Sequence, residues 1–95
     1  MENQHRVIKG YRDLSQSEID LMNKIKEHEA ATLVLVRRVH QHLQSQVNAT
    51  ANFDSAEEQL RIANAEPYRW AEAARKDLQD GFMALVRAVA QPLTP

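Results

Sequence analysis

Ser15 is the point at which this chain commits to a helix. A serine hydroxyl can accept from the backbone amide three residues on, and the Glu18 that stands there can reach back to the amide of Ser15. Leu14 and Ile19 flank this capping box as a hydrophobic staple, so two independent start signals agree on one residue. Beyond it, apolar residues recur at Ile19, Met22, Leu33, Val36, Leu43 and Val47, the alternating three-and-four spacing of a helical packing seam. Lys26, Glu29 and His40 fall on the same spacing, so three polar side chains interrupt a stripe that should be dry. Leu21, Ile25, Leu35 and Val39 form a second, adjoining stripe, interrupted at His28 and Thr32. Two stripes on one helix predict more than one neighbour.

The remaining punctuation sets the other boundaries. Residues 1–14 contain Gly10 and no sustained periodicity, which predicts an N-terminal arm or short helix ahead of a first long helix over 15–47. Residues 48–54, Asn-Ala-Thr-Ala-Asn-Phe-Asp, lack a period and are short enough for an interhelical turn. Asn48-Ala49-Thr50 matches a glycosylation sequon, an accidental one in a chain without a secretory signal. A second helical segment spans 55–91, capped by Asp54 or Ser55, with Glu57 and Glu58 well placed for the helix dipole. Pro67 disfavours helical geometry at Glu66, so a short helix to about Ala65 gives way to a longer one with Pro67 in its first turn. There Trp70, Ala74, Leu78, Phe82, Leu85 and Val89 make one stripe, ending before Pro92, and Trp70 is read as a core residue. Gly81 within it costs ~1 kcal/mol relative to alanine, which predicts that a neighbour approaches closely there.

The fold class is therefore all-α: one small helical domain over residues 1–95, with two long helical segments. Apolar residues make up 43% of the chain and aromatics only 5%, a composition suited to helical seams. A chain of 95 residues buries a modest share of its surface alone, so association with further copies is expected.

Lysine and arginine number 12 against 13 acidic residues, a formal charge of -1, whereas a binder of DNA or RNA polymers is usually basic. An anionic partner must instead meet a local cluster. The absence of cysteine removes disulfides, thiolate metal sites and cysteine nucleophiles. The first residues lack the apolar run of a signal peptide, and no segment approaches the ~20 apolar residues of a membrane span. A soluble intracellular protein without membrane contact is expected. His5, His28, His40 and His42 share no ligand spacing with acidic neighbours, and surface or seam imidazoles account for them without a metal. No phosphate loop, hydrolase elbow or carboxylate pair with a base is present, so no catalytic residue and no cofactor are assigned.

Two places stand out. In Val7-Ile8-Lys9-Gly10-Tyr11-Arg12 a single ring sits among cations outside any predicted helix: it either stacks on a nucleobase with phosphate met by the cations, or closes the end of the core. Lys26 on the first stripe must snorkel, pair with an acid such as Glu29, or meet a ligand. Arg69 and Arg75, beside Trp70, are either solvated or gathered with their symmetry copies around an axis where several phosphates bind.

The run Ile8-Lys9-Gly10-Tyr11-Arg12, followed by Leu14-Ser15, Glu18-Ile19-Asp20-Leu21-Met22-Asn23 and Lys26, resembles the start of the phage anti-CBASS protein 2 family. Glu66-Pro67, Arg69-Trp70 and the run from Gly81 to Pro92 resemble its later part, the whole covering a little under half the chain. The resemblance implies a noncatalytic sponge in the host bacterial cytoplasm. It would hold cyclic dinucleotides such as 3′,3′-cyclic GMP-AMP, and cyclic trinucleotides at separate sites, within an interlocked homo-oligomer, a hexamer. It places Tyr11 on a base and Lys26 on phosphate, with Gly10 and Arg12 beside them. It assigns Arg69, or next Arg75, to the trinucleotide site, where the family's hydroxyl residue two positions after the lysine is here His28. The rival expectation is a small helical adaptor whose seams recruit a host or phage protein. Hydrolysis of the nucleotide stands third.

Overall fold

The computed structural model describes residues 12–53 and 56–93, and the side chains of all of these except 51–53. Three helices account for nearly all of them: α1 Gln16–Phe53, α2 Ala56–Ala65 and α3 Pro67–Ala90. The chain is all-helical among the described residues, with two long helices.

Each boundary has a local cause. The capping box forms in full: the Glu18 amide donates to Ser15 Oγ at 3.2 Å and the Ser15 amide donates to Glu18 Oε1 at 2.8 Å. The Ile19 amide then donates to the Ser15 carbonyl at 3.0 Å and the helix is under way. The turn expected over 48–54 is absent as far as Phe53, because α1 runs on through Asn48 and Thr50. Those turn-forming side chains are engaged within the helix itself. Gln44 Nε2 donates to Asn48 Oδ1 at 3.0 Å, and Thr50 Oγ1 donates to the Val47 carbonyl at 2.8 Å.

Glu66, at φ 51°, is the left-handed residue between α2 and α3. Its amide closes α2 on the Ile62 carbonyl at 3.1 Å, and its own carbonyl accepts from Trp70 at 3.3 Å to open α3 with Pro67 as first residue. At the other end of α3, Gln91 has φ 46° and its amide donates to the Arg87 carbonyl at 2.8 Å, a left-handed cap directly ahead of Pro92.

The chain divides into two compact units, one of residues up to 30 with those from 79 onward, the other of 31–78. In the 31–78 unit, α1 and α3 run antiparallel. The His40 and Tyr68 rings lie 6.3 Å apart, and the Tyr68 hydroxyl donates to Gln44 Oε1 at 3.4 Å. Gln59 Nε2 donates to the Thr50 carbonyl at 3.3 Å and ties α2 to the end of α1. Leu43 and Ile62, at 8% and 9% exposure, are the buried apolar side chains among the described residues, joined by buried Thr50, and all three belong to this unit. In the other unit no described apolar side chain is buried.

The inward lines differ from the expected stripes. On α1 the less exposed positions are Glu18, Met22, Ile25, Glu29, Thr32, Leu33, Val36, His40, Leu43, Gln46, Val47 and Thr50, so Ile25 takes the seam position that the spacing had offered to Lys26. Lys26 itself is exposed. On α3 they are Pro67, Ala71, Arg75, Gln79, Phe82, Val86, Val89 and Ala90. Trp70, expected in the core, is 63% exposed, and Leu78 and Leu85 are exposed with it. The apolar stripe of α3 is shifted by about one residue from the line that faces its own chain. Nothing among the described residues lies within 4 Å of a Cβ built on Gly81, so the close neighbour expected at that glycine is not found among them.

Candidate functional site

Arg12 joins the start of α1 to the end of α3. Its Nε donates to the Ala90 carbonyl at 3.0 Å and its Nη2 to the Val89 carbonyl at 2.9 Å. Nη2 also donates to Glu18 Oε2 at 2.6 Å, while Nη1 donates to Glu18 Oε1 at 3.3 Å and to the Asp13 carbonyl at 3.4 Å. A guanidinium carries five N–H donors in a fixed fork, and these five bonds engage every one of them. The arrangement follows from what helix ends lack. The last carbonyls of α3 have no intrahelical donor and carry the negative end of the helix dipole, and a cation placed there satisfies both. Glu18, in the first turn of α1, sits where a carboxylate is favoured.

Hydrogen bonds from Arg12, then from the Ser15 amide, hold the Glu18 carboxyl down to about 2. The Arg12 guanidinium is raised in turn by the same carboxylate. Both side chains retain 29% exposure, so water screens the pair in part. In the unfolded chain Glu18 returns to an ordinary value near ~4.3, so the unfolded form takes up a proton first. The stability contributed by this carboxylate is therefore complete above its unfolded value and is lost as pH falls toward its folded one. Thermal melts followed by circular dichroism should show the midpoint dropping between about pH 5 and pH 2. A Glu18→Gln variant should start lower at neutral pH and show a shallower drop. Some drop remains, because Glu58 and Glu72, bonded to Arg61 and Arg75, are also held below the usual carboxylate range.

The other candidates fall into two groups. Lys26 and His28 are exposed on α1 in the same unit as Arg12, and Lys26 enters no ion pair among the described residues. Gly10 and Tyr11 lie outside the described residues. Arg69 and Arg75 belong to the 31–78 unit. Arg69 Nη1 donates to Glu66 Oε2 at 3.1 Å, and its guanidinium lies 5.4 Å from the centre of the exposed Trp70 ring. Arg75 Nε donates to both Glu72 oxygens at 3.0 and 3.1 Å. Both arginines are thus already paired with a carboxylate one turn away.

Two concavities went unseen in the sequence. An open cleft of about 430 Å³ in the first unit is lined by Glu29, Gln79, Asp80, Phe82, Met83 and Val86. A groove of about 150 Å³ in the 31–78 unit is walled by Thr32, Leu35, Val36 and Val39 of α1 and Ala71, Ala74 and Leu78 of α3. Their walls come from two helices far apart in sequence, so periodicity within either helix carries no sign of them. The two stripes flanking the groove were each legible, but not that they meet. Among the described residues no group of three or more His, Asp or Glu is placed to hold a metal ion, and no helix is long and apolar enough to cross a membrane.

Comparison with known proteins adds two findings. A family model described as the Acb2/Tad1 hairpin domain matches residues 3–90. Anti-CBASS protein 2 of Pseudomonas phage JBD67 is 43% identical over 105 aligned residues, covering 97% of each chain.

Proposed function

Since this chain belongs to the Acb2/Tad1 hairpin-domain family, we propose that it is a phage anti-CBASS protein acting as a sponge. It binds cyclic dinucleotides such as 3′,3′-cyclic GMP-AMP in the host cytoplasm without cleaving them. The observation that carries this reading is the similarity to Anti-CBASS protein 2, which extends over 97% of both chains. Sequestration needs no chemistry at the ligand. It needs enough binding protein, and enough affinity, to hold the free messenger below the level that switches on its effector.

The binding groups we assign are Tyr11, stacked on a base, and Lys26, on phosphate, with Gly10 and Arg12 beside them in the arm. Support for Lys26 comes from its position: an exposed side chain without a carboxylate partner among the described residues is open to a ligand. The ligand carries two phosphates, and a chain of formal charge -1 must meet them locally. A second site, for cyclic trinucleotides, would use Arg69, then Arg75 and His28. Both arginines would have to exchange a neighbouring glutamate for phosphate.

The sponge works as a homo-oligomer, for which the resemblance implies six copies. Exposed large apolar side chains support association: Ile19, Leu21, Met83 and Leu85 in one unit, and Leu35, Val39, Trp70 and Leu78 in the other, against two buried among the described residues. The same exposure favours a second reading, an adaptor that covers this surface with a host or phage protein.

Calorimetry with 3′,3′-cyclic GMP-AMP tests the first reading. Tyr11→Ala should weaken binding by about 5- to 150-fold, the range of a lost base stack, and Lys26→Ala by at least about tenfold, as for a charge-assisted hydrogen bond. Nucleotide recovered after long incubation should be chemically unchanged. A parent protein that binds no member of a panel of cyclic dinucleotides and trinucleotides, but returns a stoichiometric protein partner, would replace the sponge by the adaptor.

A further inference from the structure

We infer that Trp70 is a positioning residue for Arg69, holding its guanidinium ready for phosphate at the second, cyclic trinucleotide site. The inference rests on the sponge reading above and adds to it the residue that aims the arginine. In the 31–78 unit Arg61, Arg69 and Arg75 are each paired with a glutamate three positions earlier. Two of these pairs are forked. Arg61 gives Nε and Nη2 to the two Glu58 oxygens at 3.0 and 2.5 Å, and Arg75 gives Nε to both Glu72 oxygens and Nη2 to one of them. Arg69 is held differently. One N–H, on Nη1, donates to Glu66 at 3.1 Å, and no further hydrogen bond engages the guanidinium among the described residues.

Its other support is the Trp70 ring, whose centre lies 5.4 Å from the guanidinium carbon. Adjacent residues on a helix do not face each other, so spacing does not force this contact. Attraction to the ring quadrupole uses up no N–H donor, whereas every bond to a carboxylate does. Exchange of glutamate for phosphate therefore costs Arg69 one hydrogen bond and costs Arg75 its whole fork. Once Glu66 is released, the ring still keeps the charge in place. Without the ring, the long side chain would regain its rotamer freedom and have to lose it again on meeting phosphate. Trp70 is 63% exposed, so its own chain does not account for it as a core residue. A second copy that covers the indole strengthens the pairing, because cation–π attraction grows as water leaves.

Calorimetry with a cyclic tri-adenylate tests this role. Trp70→Leu should weaken binding about 2- to 5-fold, the range of an exposed cation–π contact, and Trp70→Phe, which keeps a ring, should recover most of the loss. The deciding comparison is made in an Arg69→Gln background, itself about tenfold weaker through loss of a charge-assisted hydrogen bond. There Trp70→Leu should cost nothing further. Equal losses in both backgrounds would show that Trp70 serves the base or the assembly independently of Arg69, which overturns the inference. Trp70 is the single tryptophan of the chain, so its emission in the unaltered protein gives a second readout that no misfolded variant can confuse. Titration with the cyclic tri-adenylate should change that emission with the midpoint found by calorimetry. Unchanged emission at saturation would place the phosphate site away from the ring and overturn the inference as well. A parent protein that binds cyclic dinucleotides but no cyclic tri-adenylate would remove the second site, and this inference with it, while leaving the sponge reading in place. A parent that binds neither would sink the sponge reading itself.

Discussion

In the proposed homo-oligomer, Leu35→Glu should break the assembly into smaller species, while the corresponding change at a polar exposed position, Gln41→Glu, should leave it intact. Leu35 is 59% exposed and forms part of the rim of the apolar groove between α1 and α3 in the 31–78 unit. In an isolated protomer a glutamate there is simply solvated, and its effect on folding falls within the ~0.5 kcal/mol typical of surface substitutions. Once a second copy covers the groove, the same carboxylate is taken out of water without a partner, a penalty of several kcal/mol. Each interface repeats that penalty, because symmetry places the substitution in every copy. Native mass spectrometry and sedimentation over a range of protomer concentrations would report the change. An unchanged mass for Leu35→Glu would take this groove out of the interface. A parent protein of single-chain mass at all concentrations would remove the assembly from the proposal.

Features with local physical causes were legible in the sequence. The start at Ser15 was, because a capping box is four consecutive residues whose side chains and amides satisfy one another. The all-helical class was as well, since both long stripes follow a helical period. What failed was the choice between alternatives that share a period. Each long helix carries apolar residues on more than one line, and spacing alone does not say which line faces the other helix of the same chain. Lys26 and Trp70 were misplaced for this one reason: the seam uses Ile25 and Ala71, one residue away from each.

The helix through Asn48 and Thr50 was missed for another. Side chains that favour turns in isolation here bond within the helix, and Thr50 is buried besides. Arg12 could be singled out as one of the cations near the start of α1. The partners of Arg12 could not. Two of them are backbone carbonyls near the other end of the chain, which any residue supplies, so no residue type marks them. Glu18 was visible only as a cap, and its bond to Arg12 gives it a second role that the local motif already explained away.

Leu43→Ala should be the most damaging single truncation for the fold itself. Leu43 keeps 8% of its surface, and Ile62 alone among the other described apolar side chains is comparably covered. Truncating a buried leucine removes its transfer free energy and leaves a partly collapsed cavity, together ~2–5 kcal/mol. Small domains have only ~5–15 kcal/mol in total. At ~4–8 °C per kcal/mol for a chain of this size, the midpoint should fall by roughly 10 °C or more, with melts compared at one protomer concentration because association contributes to apparent stability. Ile62→Val, which removes a single methylene, should cost only ~0.5–1.5 kcal/mol. The comparison also decides where stability resides. If Leu43→Ala costs no more than an exposed substitution such as Leu60→Ala, the protomer's own core contributes little, and the surfaces between copies, covering Leu35, Trp70 and Leu78, supply most of the stability. If the loss is as large as expected, the 31–78 unit folds on its own buried pair, and association adds to a fold already formed.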